Sequence, residues 1–118
     1  MTIKIKNRFT GEVLYTVNAD TLVGANFRGE NLSDADFREA DLTGADFTGA
    51  VLTRSDMCKS VLVNVKMEGA YLTWSDMSDA NLYGASLKNA AMQWVNLNGA
   101  DLTNADYNGA DLRGTTMP

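Results

Sequence analysis

A large apolar side chain recurs at every fifth position from Leu22 to Met117, without a break. The register reads Leu22, Phe27, Leu32, Phe37, Leu42, Phe47, Leu52, Met57, Leu62, Met67, Leu72, Met77, Leu82, Leu87, Met92, Leu97, Leu102, Tyr107, Leu112 and Met117. A period of five suits neither common element. On a helix, five residues advance about 500°, so the apolar positions spiral around every side. On a strand, an odd period sends successive side chains to opposite faces. The chain must instead turn a corner about every five residues and point one side chain inward each time. Short units of that kind stack into a solenoid with a shared interior.

A second column supports this. Two residues before each centre the residue is usually Ala, as at Ala25, Ala35, Ala45, Ala70 and Ala100. A small side chain fits where walls converge inside a narrow coil. Between the two columns sits mostly Asp or Asn, and Gly often follows two residues after the centre, as at Gly29, Gly44 and Gly109. These are turn formers, through local backbone hydrogen bonds or positive φ. The centres also alternate, with Leu at Leu22, Leu32, Leu42 and onward, and Phe or Met at Phe27, Phe37, Phe47, Met57, Met67 and Met77. A three-sided coil would mix the two sets in every column. A four-sided coil keeps them on separate pairs of walls, giving about five coils and a rod about 24 Å long at the usual strand spacing.

The motif Ala-(Asp/Asn)-Leu-x-x, written here as Ala40-Asp41-Leu42-Thr43-Gly44 and Ala100-Asp101-Leu102-Thr103-Asn104, resembles the pentapeptide-repeat family. The resemblance implies an all-β fold: a right-handed, four-sided parallel β-helix with a dry core. It implies little about function.

Residues 1–19 lie outside the repeat and residues 20–118 form it. In the first segment Ile3 and Ile5 alternate with Lys4 and Lys6, and Val13, Tyr15 and Val17 follow a turn-like Phe9-Thr10-Gly11-Glu12. This pattern predicts a β-hairpin that caps the first coil and shields its edges. Lys4, Lys6 and Arg8 against Glu12 give this segment +2, leaving −7 of the net −5 on the solenoid. An anion site on the basic segment is one reading; edge protection by Lys is the blander one. Glu30 stands in the Ala column, so it is expected to pair with a cation or with backbone N–H groups near the cap. Val65 and Val95 replace the small Ala, which predicts a slightly widened coil there.

Function is bounded mainly by exclusion. The chain has no His, one Cys and no phosphate loop, metal-ligand cluster or nucleophile–base set;. An enzyme, a cofactor and a bound metal are therefore not expected. The mild acidity argues against direct nucleic-acid binding. The N-terminus lacks the apolar run of a signal peptide and no segment is long enough for a membrane span, so a cytoplasmic setting without membrane contact is expected. Cys58 follows a centre and is expected outside, as a tolerated surface thiol.

Large apolar residues depart from the repeat at one place. With a period of twenty, Trp74 stacks above Trp94 with Arg54 in the same column, and Tyr71 lies between Val51 and Ala91. Val51, Arg54, Tyr71, Trp74 and Trp94 would then share one exposed wall. Trp, Tyr and Arg favour binding hot spots, and a contiguous apolar patch marks contact with something. The alternative is internal packing: Arg54 over Trp74 as a cation–π pair and the indoles as ladder rungs. Val63 and Tyr83 form a smaller pair, expected on the adjacent wall. At the C-terminal end Leu102, Tyr107, Leu112 and Met117 line an open coil, which predicts a homodimer through that end; the resemblance points the same way.

Three functions compete. The leading one is a non-catalytic, rigid protein-interaction module with an unidentified protein partner. The second is an acidic DNA mimic acting on a DNA-binding enzyme such as a type II topoisomerase, built on the column Asp36, Asp56 and Asp76. The third is a structural spacer.

Overall fold

A computed structural model describes residues 1–118. Parallel bridges link Asn26 to Asp46, Asn31 to Val51, Asp36 to Asp56 and Asp41 to Val61, and so on to Asn96 and Thr116. Every one of these spans twenty residues, so the coil has four walls. Wall 1 carries residues 41–44, 61–64, 81–84 and 101–104. Wall 2 carries 26–29, 46–49, 66–69, 86–89 and 106–109. Wall 3 carries 31–34, 51–54, 71–74, 91–94 and 111–114. Wall 4 carries 36–39, 56–59, 76–79 and 96–99, and the chain closes there at Thr116.

Each corner is made locally. The amide of each Ala-column residue donates to the carbonyl of the preceding centre, as Ala40 N does to Phe37 O at 3.1 Å. Next to that turn, a carboxylate or carboxamide accepts the amide two residues on, as Asp36 Oδ1 does from Arg38 N at 3.0 Å. The coils are then joined by a ladder in which Phe27 N donates to Asp46 O at 2.7 Å and Asp46 N to Ala25 O at 2.9 Å. The buried backbone is thus paired between coils rather than within long strands.

The centres from Leu22 to Leu97 are all buried. Near the N-terminal end the core is aromatic: Phe27 and Phe47 stack at 4.8 Å, and Phe37 meets both edge-on. Val65 and Val95 are fully buried in the Ala column, and the ladder runs through that coil without a break, with Lys66 N donating to Ala45 O at 2.9 Å. Each Val carries two carbons more than Ala, and these are accommodated inside the corner with the bonds between coils intact.

The N-terminal hairpin pairs β1 (Ile3–Lys6) with β2 (Val13–Val17) antiparallel. It sits on the first coil through Ile5, which is buried, and through Tyr15, whose ring meets Phe27 edge-on at 5.7 Å. Backbone bonds continue the sheet: Asp36 N donates to Lys6 O and Arg8 N to Asp34 O. Arg8 reaches further, donating to the Arg54 carbonyl at 3.0 Å and lying 3.8 Å from Asp56. The hairpin's backbone bonds to the solenoid fall on residues 34–36. Glu30 is half-exposed and makes no ion pair or side-chain hydrogen bond. The partner expected for it is not needed, since water solvates the carboxylate.

Candidate interaction surface on the third wall

Wall 3 collects the residues singled out from the sequence. Val51, Tyr71 and Ala91 are bridged in one column, and Arg54, Trp74 and Trp94 form the column three residues on. The two columns lie three residues apart along the chain, a span of at most about 10 Å. Tyr71, Trp74 and Trp94 are 53%, 58% and 54% exposed, while Val51 is half-buried. The lane between the columns is polar. Thr73 donates its hydroxyl to Gln93 Oε1 at 3.0 Å, and Gln93 Nε2 donates to Asp111 Oδ2 at 2.7 Å. Arg113 grips the same Asp111, and its hydrogen bonds hold that carboxyl down to about 2.

The two indoles lie 5.3 Å apart at an interplanar angle of 11°. Each occupies a corner with positive φ, 64° at Trp74 and 63° at Trp94, a region that disfavours side chains other than Gly or Asn;. Beneath Trp94 lies Gly114, where a Cβ would come within 2.4 Å of the indole. Gly at this position is therefore what lets the indole lie flat on the backbone. Trp94 is thus covered on one ring face by Trp74 and on the other by Gly114. Trp94 therefore shows solvent its ring edges, while the outer face of Trp74 is left open because Arg54 bonds Asp34 instead, and the chain supplies no acceptor for either indole N–H.

Arg54 does not join the stack. Its Nε bonds Asp34 Oδ1 at 3.0 Å, so the expected cation–π pair with Trp74 is not formed. A carboxylate in the same column offers more than a ring quadrupole does. The cation–π contact of this chain is Arg8 over Phe9, at 4.8 Å from the ring centroid. Tyr83 and Val63 lie on wall 1, ten residues or half a coil from wall 3, so they face away on the opposite side. They were expected on the adjacent wall; a step of ten in a coil of twenty rules that out.

The column Asp36, Asp56 and Asp76 does stack on wall 4. Its charge is largely committed. Asp56 is buried and lies within 4 Å of both Arg8 and Arg38, and Arg38 also lies 3.8 Å from Asp36. Each of the three carboxylates also accepts the backbone amide two residues on. Cys58, on the same wall, is half-buried beside the Ser78 hydroxyl. The surface carries no enclosed pocket and no cluster of acidic, Cys or His residues that could hold a metal ion.

At the other end of the rod Leu102 and Leu112 are half-buried, and Tyr107 and Met117 are 40% and 43% exposed. The amides of Leu102, Tyr107 and Leu112 donate to no backbone carbonyl.

With this geometry in hand, comparison with known proteins is decisive for the family. The model for pentapeptide repeats matches in overlapping segments 21–54, 41–79, 66–104 and 96–117. The chain belongs to the pentapeptide-repeat family. Its solved relatives share the right-handed quadrilateral β-helix. HetL, a pentapeptide repeat protein involved in heterocyst differentiation regulation in the cyanobacterium Nostoc sp. strain PCC 7120, is 28% identical with a TM-score of 0.80 over 83% of this chain. Rfr23 from the cyanobacterium Cyanothece 51142 is 30% identical with a TM-score of 0.71 over 75% of the chain. A pentapeptide repeat protein of the Arabidopsis thaliana thylakoid lumen is 28% identical with a TM-score of 0.51 over 78% of the chain and 70% of its own length. The chain spans 47% of HetL and 60% of Rfr23, about half the length of such relatives. No curated protein matches it.

Proposed function

We propose that the chain is a non-catalytic, rigid protein-interaction module that binds a protein through the Tyr71, Trp74 and Trp94 surface of wall 3, in a cytoplasmic setting and without direct nucleic-acid or membrane contact. The observation that carries this reading is the indole stack. The two Trp residues of the chain are both more than half exposed at strained corners, whereas the core centres up to Leu97 are sealed. A rigid scaffold orders the ring edges before binding, so little conformational entropy is lost on contact. The family supports the class of function: pentapeptide-repeat proteins are in general structural or interaction modules.

The stack also favours one mode of recognition. Both faces of Trp94 are engaged along the column, so a ligand that reads a ring face, such as a sugar, a nucleobase or an onium group, finds only the outer face of Trp74, whereas a partner that meets the edges finds both rings. Aromatic edges are the positive part of the quadrupole. They suit carbonyl oxygens and the faces of other aromatic rings, both common on protein surfaces.

Capture of a partner from a lysate of the source organism, at low and high salt, tests the reading. Binding that persists at high salt and disappears with Trp74→Ala supports it. Salt-sensitive binding that ignores Trp74→Ala sinks it, and favours the acidic DNA mimic of a type II topoisomerase or a related enzyme. That alternative is weakened by Arg8 and Arg38, which offset the Asp36, Asp56 and Asp76 column. A spacer would bind nothing and would tolerate Thr at both Trp positions.

The apolar end formed by Leu102, Tyr107, Leu112 and Met117, with its unpaired amides, supports a second proposal: two copies associate through it. Sedimentation equilibrium distinguishes the surfaces. A dimer that Met117→Asp dissociates and Trp94→Ser does not supports this assignment. The reverse would make wall 3 a self-contact.

A further inference from the structure

We propose that Asn98 and Asn108 are sites of spontaneous deamidation, and that the solenoid ladder protects the equivalent position of every inner coil. The Asn-Gly sequence occurs twice, at Asn98-Gly99 and Asn108-Gly109, both in the last coil. All four residues are exposed. Gly places no side chain of its own beside the following amide nitrogen, and the groups nearest where its Cβ would stand are Asp79 Oδ1 at Gly99 and Asn89 Oδ1 at Gly109.

The reaction balances as follows. The backbone nitrogen of the Gly loses its proton to a solvent base and attacks the Asn Cγ. The carboxamide nitrogen leaves as ammonia, closing a succinimide. Water then opens the ring at either carbonyl and yields Asp or isoaspartate. No oxidant or cofactor is involved. The step needs a Gly amide that can shed its proton and turn towards the side chain.

The ladder withholds that amide in the inner coils. Gly29 N donates to Thr48 O, Gly49 N to Glu68 O and Gly69 N to Lys88 O, at 2.9–3.0 Å. Gly99 N and Gly109 N donate to no backbone carbonyl. The reactive sequence therefore falls on two of the four corners, at residues 99, 104, 109 and 114, whose amides are unengaged. The consequence is local. Asn98 O accepts from Asp79 N at 2.9 Å and Asn108 O from Asn89 N at 3.0 Å. An isoaspartate adds a methylene to the main chain at these rungs, so conversion displaces the bonds that hold the last coil to the one before. An Asp product adds negative charge beside Asp79 in one case and beside neutral Asn89 in the other.

The experiment separates lock from sequence. The chain and its E68N variant are incubated at mildly alkaline pH, and the products are mapped by peptide mass spectrometry with isoaspartate detection. Glu68 is exposed, and the variant places Asn before Gly69, whose amide is held by Lys88 O. Conversion is expected at Asn98 and Asn108 and to be ~10-fold slower at position 68, the factor one net hydrogen bond supplies. In urea the three sites should converge. T48N, before Gly49, is a second locked site should E68N fold poorly. Equal rates in the folded protein, or a gap that persists in urea, would overturn the proposal.

Discussion

Ten non-glycine residues hold positive φ, from Asp34 to Asn104, and all are corners of the coil. The left-handed region costs a side chain about 1–2 kcal/mol, so the corners store strain that Gly would relieve. Lys59, at φ 58°, is exposed and makes no ion pair. Lys59→Gly should stabilise the protein by about 0.5–1 kcal/mol in urea unfolding, after the extra unfolded-state entropy of Gly is subtracted. A loss would mean that the corner is not strained. Inside the coil, the hydroxyls of Ser55 and Ser75 are buried without a partner, whereas Ser60 Oγ donates to Met57 O at 2.7 Å. Ser55→Ala and Ser75→Ala should therefore be neutral or stabilising by up to about 1 kcal/mol, and Ser60→Ala should cost about 1 kcal/mol. The sequence made the buried positions legible because each column admits one size of side chain. It left Arg54 ambiguous: Asp34 and Trp74 lie one coil away on either side, and spacing does not rank them. Gly114 below Trp94 was readable from the same period of twenty, yet its meaning required the indole's orientation.

At the scale of the element, the hairpin and the last coil behave differently. Arg8 fastens the hairpin to the second coil through the Arg54 carbonyl and Asp56. Arg8→Ala should raise amide exchange of β1 and β2 while leaving the inner coils protected, because each coil of a solenoid is held mainly by its neighbours. Uniform loss of protection would show instead that the hairpin and solenoid open together. At the other end Asp111 is held down to about 2 by its hydrogen bonds to Arg113, and Asp41 and Asp101 are lowered by Thr43 and Thr103. A lowered carboxyl stabilises the fold above its unfolded value, about 3.9. That stabilisation disappears as pH falls towards the folded value. The melting temperature should therefore drop between about pH 4 and pH 2, and less steeply in Asp111→Asn. An unchanged slope would count against the Arg113 contact. The hairpin was legible as alternating apolar residues; its long reach through Arg8 was not, since no local pattern announces a contact across forty-six positions.

Across the whole molecule, the five-residue register becomes a rod with extents of 36 × 26 × 24 Å, and the rod fixes where its irregular residues face. Wall 3 could be assembled from the sequence because the period places residues twenty apart side by side. The acidic column of wall 4 was equally visible, but only part of its offset was, because Arg38 belongs to the repeat whereas Arg8 comes from outside it. The surface proposed for a protein partner is the indole stack together with Tyr71. The two Trp residues of the chain both lie there, so a fluorine label on tryptophan reports on this surface alone. The most direct measurement is the 19F spectrum of the 5-fluorotryptophan-labelled chain, taken before and after addition of its captured partner. Both resonances should shift or broaden together, since the rings form one stack. Binding that leaves both resonances unmoved would contradict the assignment of wall 3 as the contact surface.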